Sequence, residues 1–576
     1  MSGPTNDRLI RVDMSNLTTS IEPFPDEWKL LGGRALSAKI LLEECDPTCD
    51  PLGPDNVLVM APGVMSGTAA PTSGRISIGG KSPLTGGIKE ANAGGNPGQD
   101  LMKLGYRVVI VKGQPSDPEK RYAVDVTAEG ATVLEVADCK GLWNYALIEH
   151  LAKSYSTTAS FISIGPAGEM KLTGASVACT DQEQDRHPAR HAARGGLGAV
   201  MGSKGLKYLS IDAGKSRARQ PAERKEFAAL NKQYTKDYLA GPQIFKTGTS
   251  SVVPVASMLQ TFPYKNRTVG SSPDAESLDG ARIVESFETR GGGMHNCMTG
   301  CIVKCSNVVH DEDGNYKTSA LEFETLTLLG ANCAIKSWDD VADLDRLCDE
   351  LGLDTIETGA AIAILMDSGG MEWGDAEGAK NLLREIADGT ELGKAIGNGA
   401  EATGKRTKHH RVPVVRGQAI PAWDPRPLKA TGVTYATSPM GADHTAGLVV
   451  NPGLGEDELA QASQEVQLVN AATDSSGFCQ FLQPTLVDIA NYYGMLYGKK
   501  VTREQIADMG WQCLLDEWEF NRRAGFSEDG DQMPACMKED GVGPANATFD
   551  VKPEIVIQTY KRFEPREELF TTKAAG

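Results

Sequence analysis

The chain has 576 residues and a formal net charge of −18, with both signs spread along its length rather than gathered in a tail. That length exceeds what one hydrophobic core supports, so several domains are expected, and the acidic balance argues against a nucleic-acid partner. The longest apolar stretches, such as residues 359–366, are too short to span a bilayer.

Residues 1–7 are polar and lead directly into a strand-like 9–13, with no secretory leader, which points to the cytoplasm. Short β-branched runs at 56–60, 75–79, 106–112 and 161–165 predict buried strands. A β-rich N-terminal cofactor-binding domain over 1–212 is therefore expected, followed by a polar, basic linker at 213–224. Apolar residues spaced at three and four over 338–351 and 376–388 predict amphipathic helices, placing a mainly helical domain at 213–412. A Pro- and Gly-rich passage at 411–427 separates it from a second mainly helical domain at 413–576, whose helices start near Glu456. The fold class is α+β, and no internal repeat or low-complexity tract is present.

The N-terminal region carries several glycine-rich loops beside cations: Ser66-Gly-Thr-Ala-Ala-Pro-Thr-Ser-Gly-Arg75, Lys89-Glu-Ala-Asn-Ala-Gly-Gly-Asn96, and residues 186–204. Glycine lets backbone amides approach an anion, and Arg or Lys neutralises it. One such loop alone is a tight turn; several in one domain point to a phosphate-bearing cofactor. None matches a Walker loop, and Gly195-Gly-Leu-Gly198 is not the dinucleotide fingerprint.

Twelve cysteines in so long a chain are too sparse for a disulfide scaffold, so thiols such as Cys45, Cys139, Cys179, Cys333, Cys348, Cys513 and Cys536 read as reduced, some as small buried hydrophobes. Cys297, Cys301 and Cys305 are different, for they recur every four residues, and Cys479 stands alone far downstream. Three clustered thiolates and one distant one can supply the four ligands of an iron–sulfur cluster. In a straight helix Cys297 and Cys305 would stand about 12 Å apart along the axis, so a shared cluster requires a bent or looped segment, with Gly300 permitting the bend. Asp349-Glu-Leu-Gly-Leu-Asp354 reads as a helix end capped by Gly352 with Leu353 as its hydrophobic contact. Asp474-Ser-Ser-Gly-Phe-Cys479 repeats that pattern and carries the fourth thiol, which suggests two similar ends facing one cofactor.

Taken in order, Gly32-Gly-Arg34, Ser73-Gly-Arg75, Asn92-Ala-Gly-Gly95, Arg194-Gly-Gly-Leu-Gly-Ala-Val-Met-Gly-Ser-Lys204, the cysteine cluster, Glu322-Phe-Glu-Thr325, both Asp-x-x-Gly motifs, Asp424-Pro-Arg426, Thr434-Tyr-Ala-Thr-Ser438 and Gly441-Ala-Asp-His444 resemble the tungsten-dependent aldehyde ferredoxin oxidoreductase family. The set runs to residues 520–526 and so covers essentially the whole chain. The resemblance implies a β-rich base with two helical domains enclosing tungsten (molybdenum being the alternative) held by two pterins, with one [4Fe–4S] cluster beside it and Mg2+ bridging the pterin phosphates. By motif position Cys297, Cys301, Cys305 and Cys479 ligate the cluster, and Asp349 and Asp474 anchor the pterins. Arg75, Asn92, Arg194, Gly195 and Asp354 complete the cofactor contacts, Arg75 bridging cluster and pterin. Three residues separate Cys297 from Cys301 where the family usually has two, so the chain between them is expected to bulge.

The activity implied is oxidation of an aldehyde to its acid, with ferredoxin or an iron–sulfur partner subunit as electron acceptor, in a homo- or hetero-oligomer. Glu324 and His444 are the expected proton-handling residues, Glu322 being the rival carboxylate. Two alternatives stand beside this: a catalytic subunit reducing an aromatic acyl-CoA ring, and a non-catalytic iron–sulfur electron carrier. His295, His310, His409 and His410 read as solvated loop residues.

Overall fold

The computed structural model describes residues 7–181, 185–527 and 530–574; the polar start at residues 1–6 lies outside them. The N-terminal region pairs two six-stranded sheets. The first contains β1 (Arg8–Asp13), β2 (Thr18–Pro23), β3 (Leu58–Pro62), β4 (Ile76–Lys81), β5 (Ile88–Ala93) and β6 (Tyr106–Lys112), in the order β2-β1-β6-β3-β4-β5. The second contains β7 (Tyr122–Val126), β8 (Ala131–Glu135), β9 (Ser160–Ser163), β10 (Val177–Asp181), β11 (His187–Ala192) and β12 (Leu206–Ile211), in the order β11-β10-β9-β12-β7-β8. Their inner faces share one core: Ile10, Met60, Ile78 and Val109 from the first sheet meet Val124, Ile162, Val177 and Leu209 from the second. Burial of both faces explains why these strands read as continuous β-branched runs rather than alternating ones.

The first sheet's outer face is covered by α1 (Gly33–Glu44), whose Leu36, Ile40 and Leu41 pack with Leu468, Tyr492, Leu514 and Phe520 from far along the chain. Beyond β12 the chain is mainly helical. Expected helices fall on α2 (Trp338–Leu351) and on Ala376–Asp388; between them runs α3 (Thr355–Asp367), and α4 (Leu459–Ser476) opens the last helical stretch. A three-stranded sheet of β13 (Gly292–His295), β14 (Ser306–His310) and β15 (Tyr316–Thr318) interrupts the helices and carries the cysteine cluster between its first two strands. Among the described residues no helix is long and apolar enough to cross a membrane.

The Pro- and Gly-rich 411–427 passage takes a buried path, with Val415, Ala419, Ile420 and Ala422 in one core with Leu329, Ile364 and Ala400. One reading is corrected. His295 and His409 are not solvated, since each is nine-tenths buried or nearly so and bonded to a carboxylate, Asp181 at 2.9 Å and Asp367 at 2.8 Å.

Candidate active site

Residues 296–305 form an irregular loop with no helical turn between β13 and β14. Gly300 lies at φ +82° and Lys304 at φ +53°, and Cys301 N–H closes a turn onto Met298 O at 3.2 Å. The loop is gripped from the N-terminal region. Thr72, itself buried at φ +53°, donates its N–H to Gly300 O at 3.0 Å, accepts Ile302 N–H on Oγ1 at 3.0 Å and accepts Cys479 N–H on its carbonyl at 3.0 Å. One residue thus ties the cluster segment to the distant thiol. Gln99 Nε2 donates to Thr299 O at 2.8 Å, and Gly95 N–H to Cys297 O at 2.9 Å. Gly94 leaves room for the neighbouring sulfur, because a Cβ there would stand 3.2 Å from Cys297 Sγ.

Cys297, Cys305 and Cys479 line a cavity of about 320 Å³, and Cys301, also buried, is hydrogen-bonded to Cys297. That bond, with Arg190 and Arg75 nearby, brings the Cys297 thiol down to about 6 despite burial, while Cys301 is driven up. Burial, with Glu322 and the other sulfurs, pushes Cys305 well up; burial raises Cys479, against Arg75. Three thiols on the cavity lining, with the fourth beside Cys297, make a donor set that fits a group taking four thiolates at once. Arg75 donates from Nη1 to Cys479 Sγ at 3.8 Å and from Nη2 to Asn92 O at 3.2 Å, with Nε on Asn92 Oδ1. It spans from the sulfurs to β5.

The two Asp-x-x-Gly helix ends face the same cavity. At the end of α2, Gly352 takes φ +72° and Leu353 N–H reaches Cys348 O at 2.9 Å, the expected left-handed cap. Asp349 is fully engaged: Oδ1 meets His191 Nε2 at 3.1 Å and Oδ2 accepts from Tyr145 OH at 3.4 Å. Asp354 caps α3 through Ile356 N–H at 3.0 Å and pairs with Arg194 Nε at 3.2 Å. Arg194 also donates to Ala419 O and Ala442 O, each at 2.6 Å. At the end of α4, Gly477 takes φ +88°. Asp474 Oδ1 accepts from Gln480 Nε2 at 3.1 Å, but Oδ2 has no hydrogen-bond partner, with Arg34 Nη1 3.9 Å away and also unbonded. Burial and the neighbouring Glu90 hold the Asp474 carboxyl well above the usual range. Gly195 lies outside the lining; at φ +84° it lets the chain pass the Lys89 side chain, which a Cβ would strike.

Glu324 and His444 both reach the cavity, each with one atom to spare. Glu324 Oε2 accepts Ala422 N–H at 2.6 Å, while Oε1 is buried without a partner. His444 Nδ1 is buried and unbonded, 3.7 Å from Asp443 Oδ1. The loop bearing His444 is anchored by Asp443, which is paired with Lys89; burial works against its charge, yet Lys89 and Arg194 hold its carboxyl far below the ordinary range. Glu322, the rival, is committed to Thr249 Oγ1 at 2.5 Å, and burial raises its pKa.

Other lining residues were not singled out from the sequence. Arg190, bonded to Asp181 at 3.0 Å, comes from the cation-rich stretch at 186–204, and Asp443, from Gly441-Ala-Asp-His444, is paired behind the lining with Lys89, so a signal existed without a role. Asp345 sits one helical turn before Asp349, and burial beside that carboxylate pushes it well up. Behind the wall, Glu357 is brought to about 7 by burial and accepts Ala400 and Ala419 N–H at 2.9 Å. Neither carried a sequence signal, because helix-interior carboxylates normally face water.

Comparisons with known proteins match this architecture. The family model described as "Aldehyde ferredoxin oxidoreductase, N-terminal domain" matches residues 9–213, and that described as "Aldehyde ferredoxin oxidoreductase, domains 2 & 3" matches residues 227–563. The chain is 30% identical to the tungsten-containing aldehyde ferredoxin oxidoreductases of Pyrococcus furiosus and Thermococcus kodakarensis, over 96% of this chain and 95% of each relative. It is 28% identical to the WOR-like subunit of an aliphatic sulfonate oxidoreductase of Pyrococcus furiosus, over 87% of this chain and 83% of that one. The active site complex BamBC of benzoyl coenzyme A reductase, solved with 1,5-dienoyl-CoA, shares the fold with a TM-score of 0.80 at 17% identity, over 97% of this chain and 94% of that one. On the profile matches across nearly its whole length, the chain belongs to the aldehyde ferredoxin oxidoreductase family of tungsten-containing oxidoreductases.

Proposed function

We propose that the chain converts an aldehyde and water to a carboxylic acid, releasing two electrons and two protons, with the electrons leaving for ferredoxin or an iron–sulfur partner subunit. The observation that carries this reading is that Glu324 and His444, each with one buried polar atom left unbonded, line the same cavity as Cys297, Cys305, Cys479 and both motif aspartates. In this reading Cys297, Cys301, Cys305 and Cys479 would hold one [4Fe–4S] cluster, and Asp349, Asp354, Asp474, Arg75, Asn92 and Arg194 would hold the two pterins of tungsten together with an Mg2+ ion. The bound tungsten centre supplies the two-electron redox and oxygen-transfer chemistry that side chains lack.

His444 is placed to donate a hydrogen bond to the carbonyl oxygen, polarising it. Glu324, held by one oxygen to the Ala422 amide, offers the other to orient a water and take its proton. Phe245, Phe323, Leu448, Trp423 and Phe481 give the cavity apolar walls suited to an aldehyde side chain. The proposed setting is cytoplasmic, where the chain's cysteines, all free in the structure, stay reduced. In this reading the chain is divided into units at 1–212, 213–412 and 413–576.

The test is metal analysis of the purified protein joined to viologen reduction with a panel of aldehydes, run beside an aromatic acyl-CoA with a low-potential donor. Tungsten, four irons and aldehyde-dependent reduction are expected. Ring reduction without aldehyde turnover would overturn the reading in favour of the acyl-CoA alternative, and iron without tungsten or pterin in favour of an electron carrier.

A further inference from the structure

Outside the cavity, one cluster of nucleophilic side chains lies unused by the chemistry above. Cys45 closes α1, its N–H on Leu41 O at 3.0 Å, and Cys49 follows one turn later, its N–H on Asp46 O at 3.0 Å. The turn is fixed on both sides. Asp46 Oδ1 accepts Thr48 N–H and Oγ1–H at 2.8 Å each, and Lys81 Nζ reaches across from β4 to Pro47 O at 2.6 Å and Cys49 O at 2.7 Å. The result holds the two sulfurs 3.9 Å apart. Cys45 is buried and Cys49 half-buried, so one sulfur is reachable from solvent and the other waits behind it.

We propose that Cys45 and Cys49 form a thiol-modification site that takes low-molecular-weight disulfides, Cys49 being the attacking sulfur and Cys45 the resolving one. Cys49 thiolate attacks a disulfide RSSR, forming a Cys49–SR bond and expelling RS⁻. Cys45 then gives up its proton, attacks Cys49 Sγ and expels the second RS⁻. Two protein thiols and RSSR become one protein disulfide and two RSH, so the small disulfide is the oxidant and the electrons balance. Closure needs the sulfurs to move from 3.9 Å to about 2.05 Å.

The surroundings choose this chemistry over metal binding. Lys81 stands over the turn, and Lys204, wholly buried with Nζ on Gly113 O at 3.4 Å, is brought down to about 8 by burial while feeling both sulfurs electrostatically. Two ammonium groups favour thiolate and repel a bound cation. The Cys45 hydrogen bond lowers the Cys49 thiol below its ordinary value, against burial, which agrees with the assigned order of attack. The site sits at the far end of α1 from the cavity. At the near end Ala35 N–H bonds Ser475 Oγ at 2.9 Å, and a helix of this length spans about 18 Å. Basal turnover is therefore expected to be the same in Cys45→Ser and Cys49→Ser.

The experiment incubates full-length holoenzyme with oxidised glutathione, quenches with an alkylating reagent, and maps the peptide carrying both cysteines by mass. In wild type the peptide should lose two hydrogens and take no alkyl group, and dithiothreitol should restore both alkylation sites. Cys45→Ser should stop with one glutathione on Cys49, and Cys49→Ser should carry none on Cys45. Wild-type peptide that is alkylated at both sulfurs after oxidant, or glutathione found on Cys45 in Cys49→Ser, overturns the proposal. The wild-type result stands even if a variant does not fold.

Discussion

The ends of α2 and α4 share a sequence pattern, a left-handed glycine cap and a cavity wall, yet they differ in how their aspartates are satisfied. Asp349 has a polar neighbour at each oxygen, His191 Nε2 at 3.1 Å and Tyr145 OH at 3.4 Å, whereas Asp474 leaves Oδ2 unbonded beside an equally unbonded Arg34 Nη1. A buried polar atom without a partner is unfavourable by about 1–3 kcal/mol, so such a vacancy persists only where something else is served. The α4 end also carries the fourth thiol and the Thr72 tie to the cysteine loop. The pattern marks two halves of one site, and the α4 half holds the greater share of unsatisfied chemistry.

If that asymmetry reflects cofactor binding, damage at the α4 end should be the more severe. Cys479→Ala is expected to abolish the iron–sulfur electron paramagnetic resonance signal and all turnover; an intact four-iron spectrum would show that the ligand set is wrong. At the α2 end, Cys348→Ala touches a core thiol beside Asp345 and Asp349 and should leave that spectrum in place. Next in size, His444→Ala should keep full tungsten and iron while kcat falls by about 10²–10⁴, the usual share of a proton-handling group. Normal turnover in that variant removes His444 from the chemistry.

Much of this site was legible because its elements announce themselves locally. Helix α2 and its cap follow from apolar spacing and Gly352, and the loop at 297–305 follows from the mismatch between cysteine spacing and helical rise. Sequence order alone could not show that Thr72 joins Gly300, Ile302 and Cys479, since three backbone-length contacts across more than two hundred residues leave no periodic trace. The burial of 411–427 was hidden for a related reason. Pro and Gly mark a break in regular structure, and they mark it equally on a surface and inside a core. His295 and His409 misled because their carboxylate partners, Asp181 and Asp367, are distant in sequence.

A smaller effect separates the two aspartates in protein stripped of metal. Asp474→Asn removes a carboxyl whose folded pKa lies above the unfolded value of about 3.9. Its stabilisation is complete below that value and drains away as pH rises through the folded pKa, because the unfolded chain then releases the proton more readily. The variant should therefore flatten the fall of Tm with rising pH and be the more stable protein near neutrality. Asp349→Asn should instead lower Tm at neutral pH, by the equivalent of about 0.5–1.5 kcal/mol for the weakened contacts to Tyr145 and His191. Equal behaviour of the two variants across pH would mean that their different bonding has no energetic consequence.

The smallest expected difference lies in the glycine caps. Either Gly352→Ala or Gly477→Ala places a side chain in the left-handed region, a strain of about 1–2 kcal/mol. The surroundings then separate them. A Cβ at 352 would stand 2.9 Å from Gly165 N, with Asn144 Nδ2 next at 3.4 Å, an approach that a small shift of one loop relieves. At 477 it would meet Ser66 Oγ at 2.8 Å, Gly63 Cα at 2.9 Å and Ser73 O at 3.1 Å, three atoms of the N-terminal region that also cradles Cys479. Relief there must move the wall that carries the thiol. Gly477→Ala should therefore lose iron content along with stability, whereas Gly352→Ala should lose stability alone, and iron analysis beside thermal melts distinguishes the two.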